Sequence, residues 1–161
     1  MTHALRRGAA AVLVLGIAAA SVAALAQQAP KPEQLIKWRQ SAFQVVAWNS
    51  GRIKTSLDTT YNKDDVVKAA NTIAAIANGG LGTLFPASTE RGKGWHDTSA
   101  KPELFQEANS ARAAELAAAF GKEANELARV AAVGDAAAVK EQFAKLNRSC
   151  KGCHDDFRAK D

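Results

Sequence analysis

Two cysteines and a histidine lie within five consecutive residues near the end of the chain. They are Cys150, Cys153 and His154, in the order Cys-Lys-Gly-Cys-His, and the chain has no other cysteine. On a helix, positions i, i+3 and i+4 share one face, so the three side chains point the same way. The C-x-x-C-H pattern is typical of c-type haem attachment. It predicts one covalent haem c bound to both thiols, with His154 as the axial ligand of its iron.

Three other interpretations of this motif are weaker. A structural zinc site needs about four ligands, and the chain supplies only three here with no second ligand pair elsewhere. A thioredoxin-like redox pair belongs to a strand–helix setting, and no strand is predicted. A disulfide between Cys150 and Cys153 remains an alternative, although so short a loop is strained.

The residue on the other side of the iron decides the function. Methionine is the sixth ligand of many electron carriers, but Met1 is the only methionine and belongs to the N-terminal segment. His96, in the segment Gly94-Trp95-His96-Asp97, is the one remaining imidazole beyond that segment. A lysine or the amino terminus is a formal alternative. The sequence therefore favours an open iron position, with ligation by His96 as the second hypothesis.

A helical stripe near the start of the chain carries polar residues between apolar ones. Arg39 and Gln40 share it with Ile36, Phe43 and Val46. Polar groups in a core stripe are costly unless they are paired, and a guanidinium binds a carboxylate with two hydrogen bonds. We expect Arg39 and Gln40 to hold the haem propionates and Phe43 to face the iron. The alternative for Arg39 is that it reaches solvent at the end of the bundle.

Arg158 lies four residues after His154, one helical turn along. It is therefore expected to place a positive charge near the axial imidazole and tune its donor strength. The alternative is a solvated arginine at a fraying helix end.

Apolar residues recur with helical spacing in four segments. The first helix is predicted over about 33–55, and the second opens at Asp64 and Asp65 and ends at Asn78-Gly79-Gly80. A long loop over 80–101 follows, with Thr98 or Ser99 expected to cap the third helix. The third and fourth helices are predicted over about 102–132 and 135–159. Together they predict an all-α protein, an antiparallel four-helix bundle with the covalent haem near the C-terminal helix.

Residues 1–26 have the features of a cleaved signal peptide. Arg6 and Arg7 precede an alanine-rich apolar stretch, and Ala24-Leu25-Ala26 is an A-x-A cleavage site. A membrane anchor is the alternative, since the stretch is near the lower limit for spanning a bilayer. Cleavage would leave one haem domain at 27–161, exported to the periplasm and not bound to the membrane.

Cleavage would also lower the formal net charge from +5 to +3, because the segment holds two arginines and no acidic residue. A nucleic-acid partner is not expected at so small a charge.

Three segments carry a family pattern. Lys31-Pro32-Glu33 with Lys37-Trp38-Arg39-Gln40-Ser41-Ala42-Phe43, then Ala100-Lys101-Pro102-Glu103-Leu104-Phe105, and finally Cys150 to Arg158 resemble the cytochromes c′, the class II c-type cytochromes of bacterial periplasms. This resemblance implies a four-helix bundle, usually a homodimer through its first two helices, with a high-spin, five-coordinate haem. By the resemblance, the haem-binding residues are Arg39, Gln40, Cys150, Cys153 and His154, with a further contact at Thr98 or Ser99, and Phe43 crowds the distal face.

Two classes of function follow. The first is a protein that binds NO and CO, transfers electrons to a periplasmic redox partner that the sequence does not identify, or does both. A distal phenylalanine has no hydrogen-bond donor to stabilise bound O₂, so O₂ binding is expected to be weak or absent. The second is an enzyme such as a haem peroxidase, which needs a distal acid or base. Since the first helix offers none beside Phe43 and only His96 is a candidate, we expect no enzyme.

Overall fold

Four α-helices make up most of the chain. The computed structural model describes residues 29–160, so the predicted signal peptide at 1–26 lies outside the described residues. The helices are α1 (Pro32–Asp58), α2 (Lys63–Asn78), α3 (Ser110–Val133) and α4 (Ala136–Phe157). Helix α1 packs on α2, α2 on α3, and α3 on α4. Residues 29–160 form no β-strand, only two isolated bridges, and the predicted all-α four-helix bundle is confirmed.

The helix ends follow from local chemistry. The side chain of Asn62 accepts a hydrogen bond from the Asp65 amide at 3.0 Å and caps α2. Asp135 caps α4 by accepting bonds from the Ala137 and Ala138 amides. Between α3 and α4, Gly134 has φ of +90°, a backbone conformation that glycine adopts without strain. These caps hold the turns that set the helices side by side.

Two predicted helix boundaries were wrong. The third helix begins at Ser110 rather than near 102, because Gln106 is extended (φ −82°, ψ 137°) and separates two short 3₁₀ turns, Pro102–Phe105 and Glu107–Asn109. The fourth helix ends at Phe157 rather than 159, since Arg158 is extended and bridges to Ala100.

The capping prediction for the third helix was also wrong. Neither Thr98 nor Ser99 caps α3, which is preceded by Asn109 and has no side-chain cap. Even the 3₁₀ turn at Pro102–Phe105 follows Lys101, again without a side-chain cap. The Thr98 hydroxyl instead accepts hydrogen bonds from Arg39 and the Ala100 amide.

A single apolar cluster joins all four helices. Its centre is formed by side chains with no exposed surface, and burial of such groups supplies most of the stability of a bundle. The larger members are Ile53, Val66, Ile73, Leu127, Val139 and Leu146. No helix within the described residues is long and apolar enough to span a bilayer.

The segment between α2 and α3 covers one end of α1. It contains 3₁₀ turns at Leu81–Leu84 and Ala87–Thr89, both of which pack against α1. A tight hairpin over 92–98 follows. Within it the Thr98 amide donates to the Gly92 carbonyl at 2.9 Å, and the Gly94 amide donates to the His96 carbonyl at 3.0 Å. This segment has no helical periodicity in its sequence. It places beside α1 side chains that are distant from α1 in sequence.

Candidate haem site

Helix α4 presents the two thiols and the imidazole on one face. Cys150 and Cys153 are half-buried free thiols, and His154 is exposed. Gly152, between the cysteines, faces α3, and a Cβ there would lie 3.3 Å from Cδ2 of Leu116. A small residue at this position therefore lets α3 pack closely behind the cysteine pair.

Burial raises the pKa of the Cys150 thiol, and a hydrogen bond with Ser149 opposes this rise. The pKa of Cys153 is raised by burial first, then by the nearby Asp156 and Cys150, against the charge of Arg112. Redox-active C-x-x-C pairs have the opposite property, a lowered thiol pKa. The spacing of Cys150 and Cys153 on one face of α4 suits attachment to the two vinyl groups of a haem.

The environment of His154 favours its neutral form. Partial burial lowers the pKa of the imidazole, and the positive charge of Arg158 lowers it further, against the opposing effect of Asp155. His154 and Arg158 line the same shallow hollow at the end of α4. A neutral imidazole is the form that binds a metal ion. The structure thus brings Arg158 close to the predicted axial ligand.

Arg39 is buried in α1, with 3% of its surface exposed. Its Nη1 donates to Thr89 Oγ1 at 2.7 Å and to the Leu84 carbonyl at 3.3 Å. Its Nη2 donates to the Thr89 carbonyl at 3.0 Å and to Thr98 Oγ1 at 2.5 Å. The alternative that Arg39 extends into solvent is therefore wrong. The reason is that neutral oxygen atoms from the 81–98 segment enclose the guanidinium.

Burial lowers the pKa of Arg39. The oxygen atoms that accept its hydrogen bonds are neutral. A buried cation surrounded by neutral acceptors is electrostatically incomplete, because dipoles replace only part of the hydration that an ion loses. An anionic group at its edge would complete the site.

Gln40, also buried, holds the 92–98 hairpin on α1. Its Oε1 accepts from the Trp95 amide at 2.8 Å, and its Nε2 donates to the His96 carbonyl at 2.9 Å. Gly94 has no room for a side chain, since a Cβ there would come within 2.8 Å of the Lys37 Cα. The amide of Gln40 thus fixes the hairpin next to Arg39.

His96 is exposed on this hairpin. Its Nδ1 lies 2.8 Å from the Asp97 carbonyl and 3.2 Å from Nε2 of Gln40. These contacts tie the ring to its own loop and to α1. Ligation of an iron through Nδ1 would require both contacts to break.

Phe43 lies one turn after Arg39 on the same face of α1, and 39% of its surface is exposed. Its ring meets the ring of Phe85 edge to face, with 6.3 Å between ring centres. Phe85 was not among the residues predicted from the sequence, because it lies in a loop with no periodic pattern. Its apolar character within a glycine-containing segment was the one available signal.

A short backbone pairing connects the loop to the end of α4. The Lys101 amide donates to the Phe157 carbonyl, and the Ala159 amide donates to the Ser99 carbonyl, both at 2.8 Å. The Lys101 Nζ also donates to the carbonyls of Asp155 and Asp156 at 3.1 and 2.9 Å. Lys101 thereby satisfies the terminal carbonyl groups of the helix that carries His154, a role that was not predicted.

The predicted site residues therefore form two groups joined by one loop. Cys150, Cys153, His154 and Arg158 lie along α4, and Arg39, Gln40 and Phe43 lie along α1. Thr98 contacts Arg39, whereas its neighbour Ser99 pairs with the chain just after α4. The donor set matches a covalent haem: two thiols and an imidazole on one helix, and a buried cation with an apolar ring on another.

Comparison with known proteins agrees with this geometry. The family model described as Cytochrome C′ matches residues 34–158. A cytochrome c′ of Rhodocyclus tenuis is 64% identical over 132 residues, which cover 81% of this chain and 98% of the relative. A cytochrome c′ of Allochromatium vinosum is 42% identical over 160 residues, which cover 99% of this chain and 100% of the relative.

Solved structures show the same fold. A cytochrome c′ described as having an unusual ligand-controlled dimer dissociation superposes with a TM-score of 0.78 at 42% identity, covering 82% of this chain and 99% of that one. A cytochrome c′ from Alcaligenes xylosoxidans with bound NO superposes with a TM-score of 0.72 at 25% identity, covering 83% and 100%. A carbon monoxide-bound variant from that organism superposes with a TM-score of 0.70 at 26% identity, covering 81% of this chain and 98% of that one. The match over nearly the whole described chain, in sequence and in fold, shows that this protein belongs to the cytochrome c′ family, whose members carry a covalently bound haem c.

Proposed function

We propose that this protein is an exported cytochrome c′ with a high-spin, five-coordinate haem that binds NO and CO, transfers electrons, or does both. The haem, when bound, supplies an iron that takes a small ligand and changes oxidation state by one electron. The residues of the chain hold the group, orient it and control access to its iron.

The attachment is assigned to α4. Cys150 and Cys153 would hold the haem through thioether bonds to its two vinyl groups, with each thiol hydrogen going to the second carbon of its vinyl group. No electrons are lost in this addition. His154 binds the iron through its neutral imidazole, and the positive charge of Arg158 helps to keep that ring unprotonated.

The propionates are assigned to the α1 side. The hydrogen bonds of buried Arg39 within residues 29–160 go to neutral oxygen atoms, and a propionate would supply a negative charge beside it. Gln40 and Thr98 are proposed to contribute to the same propionate site. Thr98 accepts a hydrogen bond from Arg39, and Gln40 holds the neighbouring hairpin on α1. Ser99 borders the same segment and lies against the chain after α4.

The open sixth position follows from Phe43. The single observation that carries the proposal is that α1 presents the ring of Phe43 one turn beyond buried Arg39, where a phenyl group cannot ligate iron. The chain has no methionine after Met1. NO and CO complexes of variants of the Alcaligenes xylosoxidans cytochrome c′ support the same ligands for this protein.

The alternatives have less support. Ligation by His96 through Nε2 would give a low-spin electron carrier, but no observation favours it over the open position, since the printed contacts of the ring, with Gln40 and the Asp97 carbonyl, tie His96 to its own hairpin. A peroxidase needs an acid or base beside the iron, and Phe43 and Phe85 offer neither. We therefore place the protein among binding and electron-transfer proteins and not among enzymes.

Location and assembly complete the proposal. The segment 1–26 directs export, so that the haem domain at 27–161 acts in the periplasm with a redox partner still to be identified. The protein is proposed to form a homodimer through α1 and α2. A related cytochrome c′ is described as a dimer that dissociates under ligand control, which supports this assembly.

An optical spectrum of the reduced holoprotein tests the coordination state. We expect no sharp, split α and β bands without ligand, and a large shift of the Soret band when CO or NO is added. The pyridine haemochrome spectrum should report one haem c for each chain. A His96→Ala variant is the control and should have the same ligand-free spectrum. Sharp six-coordinate bands that disappear in this variant would contradict the proposal.

A further inference from the structure

Phe85 links two residues of α1 that have different proposed roles. Its ring meets Phe43 at 6.3 Å with an interplanar angle of 64°. The guanidinium of Arg39 lies 4.7 Å from the centre of the same ring. Because Arg39 and Phe43 are four residues apart on one helix face, Phe85 contacts both across one turn.

The position of Phe85 is itself fixed from α1. Arg39 Nη1 donates to the carbonyl of Leu84, the residue just before Phe85. The Phe85 amide donates to the Gly82 carbonyl at 3.1 Å and closes the 3₁₀ turn. A hydrogen bond to the backbone and a cation over the ring face thus hold this loop residue in place.

Phe43 depends on this contact for its orientation. It is the more exposed ring of the pair, at 39%, and one edge-to-face partner restricts how far its ring can turn. Within residues 29–160, the Phe43–Phe85 contact is the only recorded pair of aromatic rings. Removing Phe85 would therefore remove one restriction on the orientation of the Phe43 ring.

We infer that Phe85 is a positioning residue that holds the Phe43 ring across the ligand-binding face and so limits the size of ligand that reaches the iron. This inference rests on the proposed function, since it requires an iron that is open on the Phe43 side. It adds a specificity element outside α1: the loop after α2 controls discrimination between diatomic molecules and bulkier ligands.

The same contacts connect the ligand face to the proposed propionate anchor. Arg39 contacts Phe85, and Phe85 in turn contacts Phe43, so Phe85 is the aromatic neighbour of the guanidinium that also meets the ligand face. Discrimination between ligands should therefore respond to substitution of Phe85 more strongly than to substitution of another aromatic residue beside Arg39.

The test measures association rates of CO and of tert-butyl isocyanide with the reduced holoprotein. For Phe85→Ala we expect the CO rate to rise about two- to tenfold, the factor that corresponds to loss of one aromatic pair. The rate for tert-butyl isocyanide should rise more, so that the ratio of the two rates changes. Phe85→Trp should lower both rates.

Phe105→Ala is the matched control. Phe105 also lies beside the Arg39 guanidinium, at 6.0 Å from its ring centre, and the substitution makes the same chemical change. It should leave the ratio of rates at the wild-type value. If Phe85→Ala does not fold, Phe85→Leu retains an apolar side chain and is expected to change the ratio in the same direction.

A second measurement separates this inference from the proposed function. The NMR signals of the Phe43 ring, recorded on the reduced protein under CO, should shift and broaden in Phe85→Leu but not in Phe105→Ala. A wild-type protein that fails to bind CO would overturn the gas-binding part of the proposed function. A wild-type protein that binds CO, with unchanged rate ratio and unchanged Phe43 signals in the Phe85 variants, would overturn the role of Phe85.

Discussion

At the scale of single residues, Arg39 has the most demanding environment. It is a buried cation whose four recorded hydrogen bonds all go to neutral oxygen atoms, on Leu84, Thr89 and Thr98. Hydrogen bonds from a charged donor are stronger than neutral ones, and removal of the donor leaves its acceptors unsatisfied. Arg39 therefore organises the loop as well as the proposed propionate site.

Replacement of Arg39 by methionine should destabilise the protein. The side chain keeps a similar length, but Thr89 and Thr98 lose their donor, which should lower the free energy of unfolding by about 3 kcal/mol. Chemical denaturation of the holoprotein, followed by circular dichroism, measures this change. Arg129→Met is the control, because Arg129 pairs with Glu126 on an exposed helix surface, and it should have no measurable effect. Equal midpoints for both variants would contradict the structural role of Arg39.

At the scale of elements, glycine has opposite effects on stability at two positions. Gly134 ends α3 with φ of +90°, and a Cβ there would lie 2.6 Å from Cε of Lys63. Gly51 lies inside α1, and a Cβ at this position would meet nothing within 4 Å. The first glycine is required by the turn between α3 and α4, whereas the second only weakens its helix.

Alanine at each position should therefore change stability in opposite directions. Gly134→Ala introduces backbone strain and a close contact with Lys63, and should cost about 1–2 kcal/mol. Gly51→Ala should stabilise the protein by about 0.5–1 kcal/mol, because alanine is the better helix former. Thermal unfolding of the two variants beside the wild type measures both effects. A stabilising Gly134→Ala would contradict the left-handed turn.

The connection between α2 and α3 is the other element that matters. Its 92–98 hairpin rests on α1 through Gln40, and Ser99 and Lys101 pair with the end of α4. It therefore links the helix of the proposed propionate anchor to the helix of the cysteines and the axial histidine. A loop with so many fixed contacts acts as part of the site and sets the position of Phe85.

At the scale of the whole molecule, α1 has a second stripe that the bundle does not cover. Trp38, Val45 and Trp48 follow heptad-like spacing on α1 and are 46%, 39% and 64% exposed. The Arg52 guanidinium lies over the indole of Trp48, 4.9 Å from the ring centre. An exposed aromatic stripe of this kind fits the proposed contact with a second copy of the chain.

Substitution of Trp48 tests this assembly. Trp48→Ala removes the most exposed ring of the stripe and should weaken dimerisation about tenfold or more, as truncation of an interface tryptophan commonly does. Sedimentation velocity over a range of protein concentrations measures the monomer–dimer equilibrium. Val133→Ala is the control, since Val133 is also an exposed apolar residue, at 71%, but lies at the end of α3. A dimer that is unaffected by Trp48→Ala, or a wild-type protein that is always monomeric, would contradict the proposed interface.

Local pattern in the sequence was sufficient for the bundle and for the motif on α4. Cys150, Cys153 and His154 are neighbours along one helix, so their shared face follows from helical geometry alone. The apolar period likewise predicted four helices, although it placed the start of α3 near 102, because a period does not reveal the extended residue at Gln106. Arg39 and Gln40 stood out because they are polar residues in an apolar stripe.

Only the tertiary structure decided what surrounds those residues. Thr89 is 50 positions from Arg39 in sequence, yet it accepts two hydrogen bonds from the buried guanidinium. Phe85 reaches Phe43, and Ser99 and Lys101 reach the chain at the end of α4, from a segment without periodicity. Helical spacing encodes contacts three or four residues apart, whereas contacts between an irregular loop and two helices depend on how the whole chain packs.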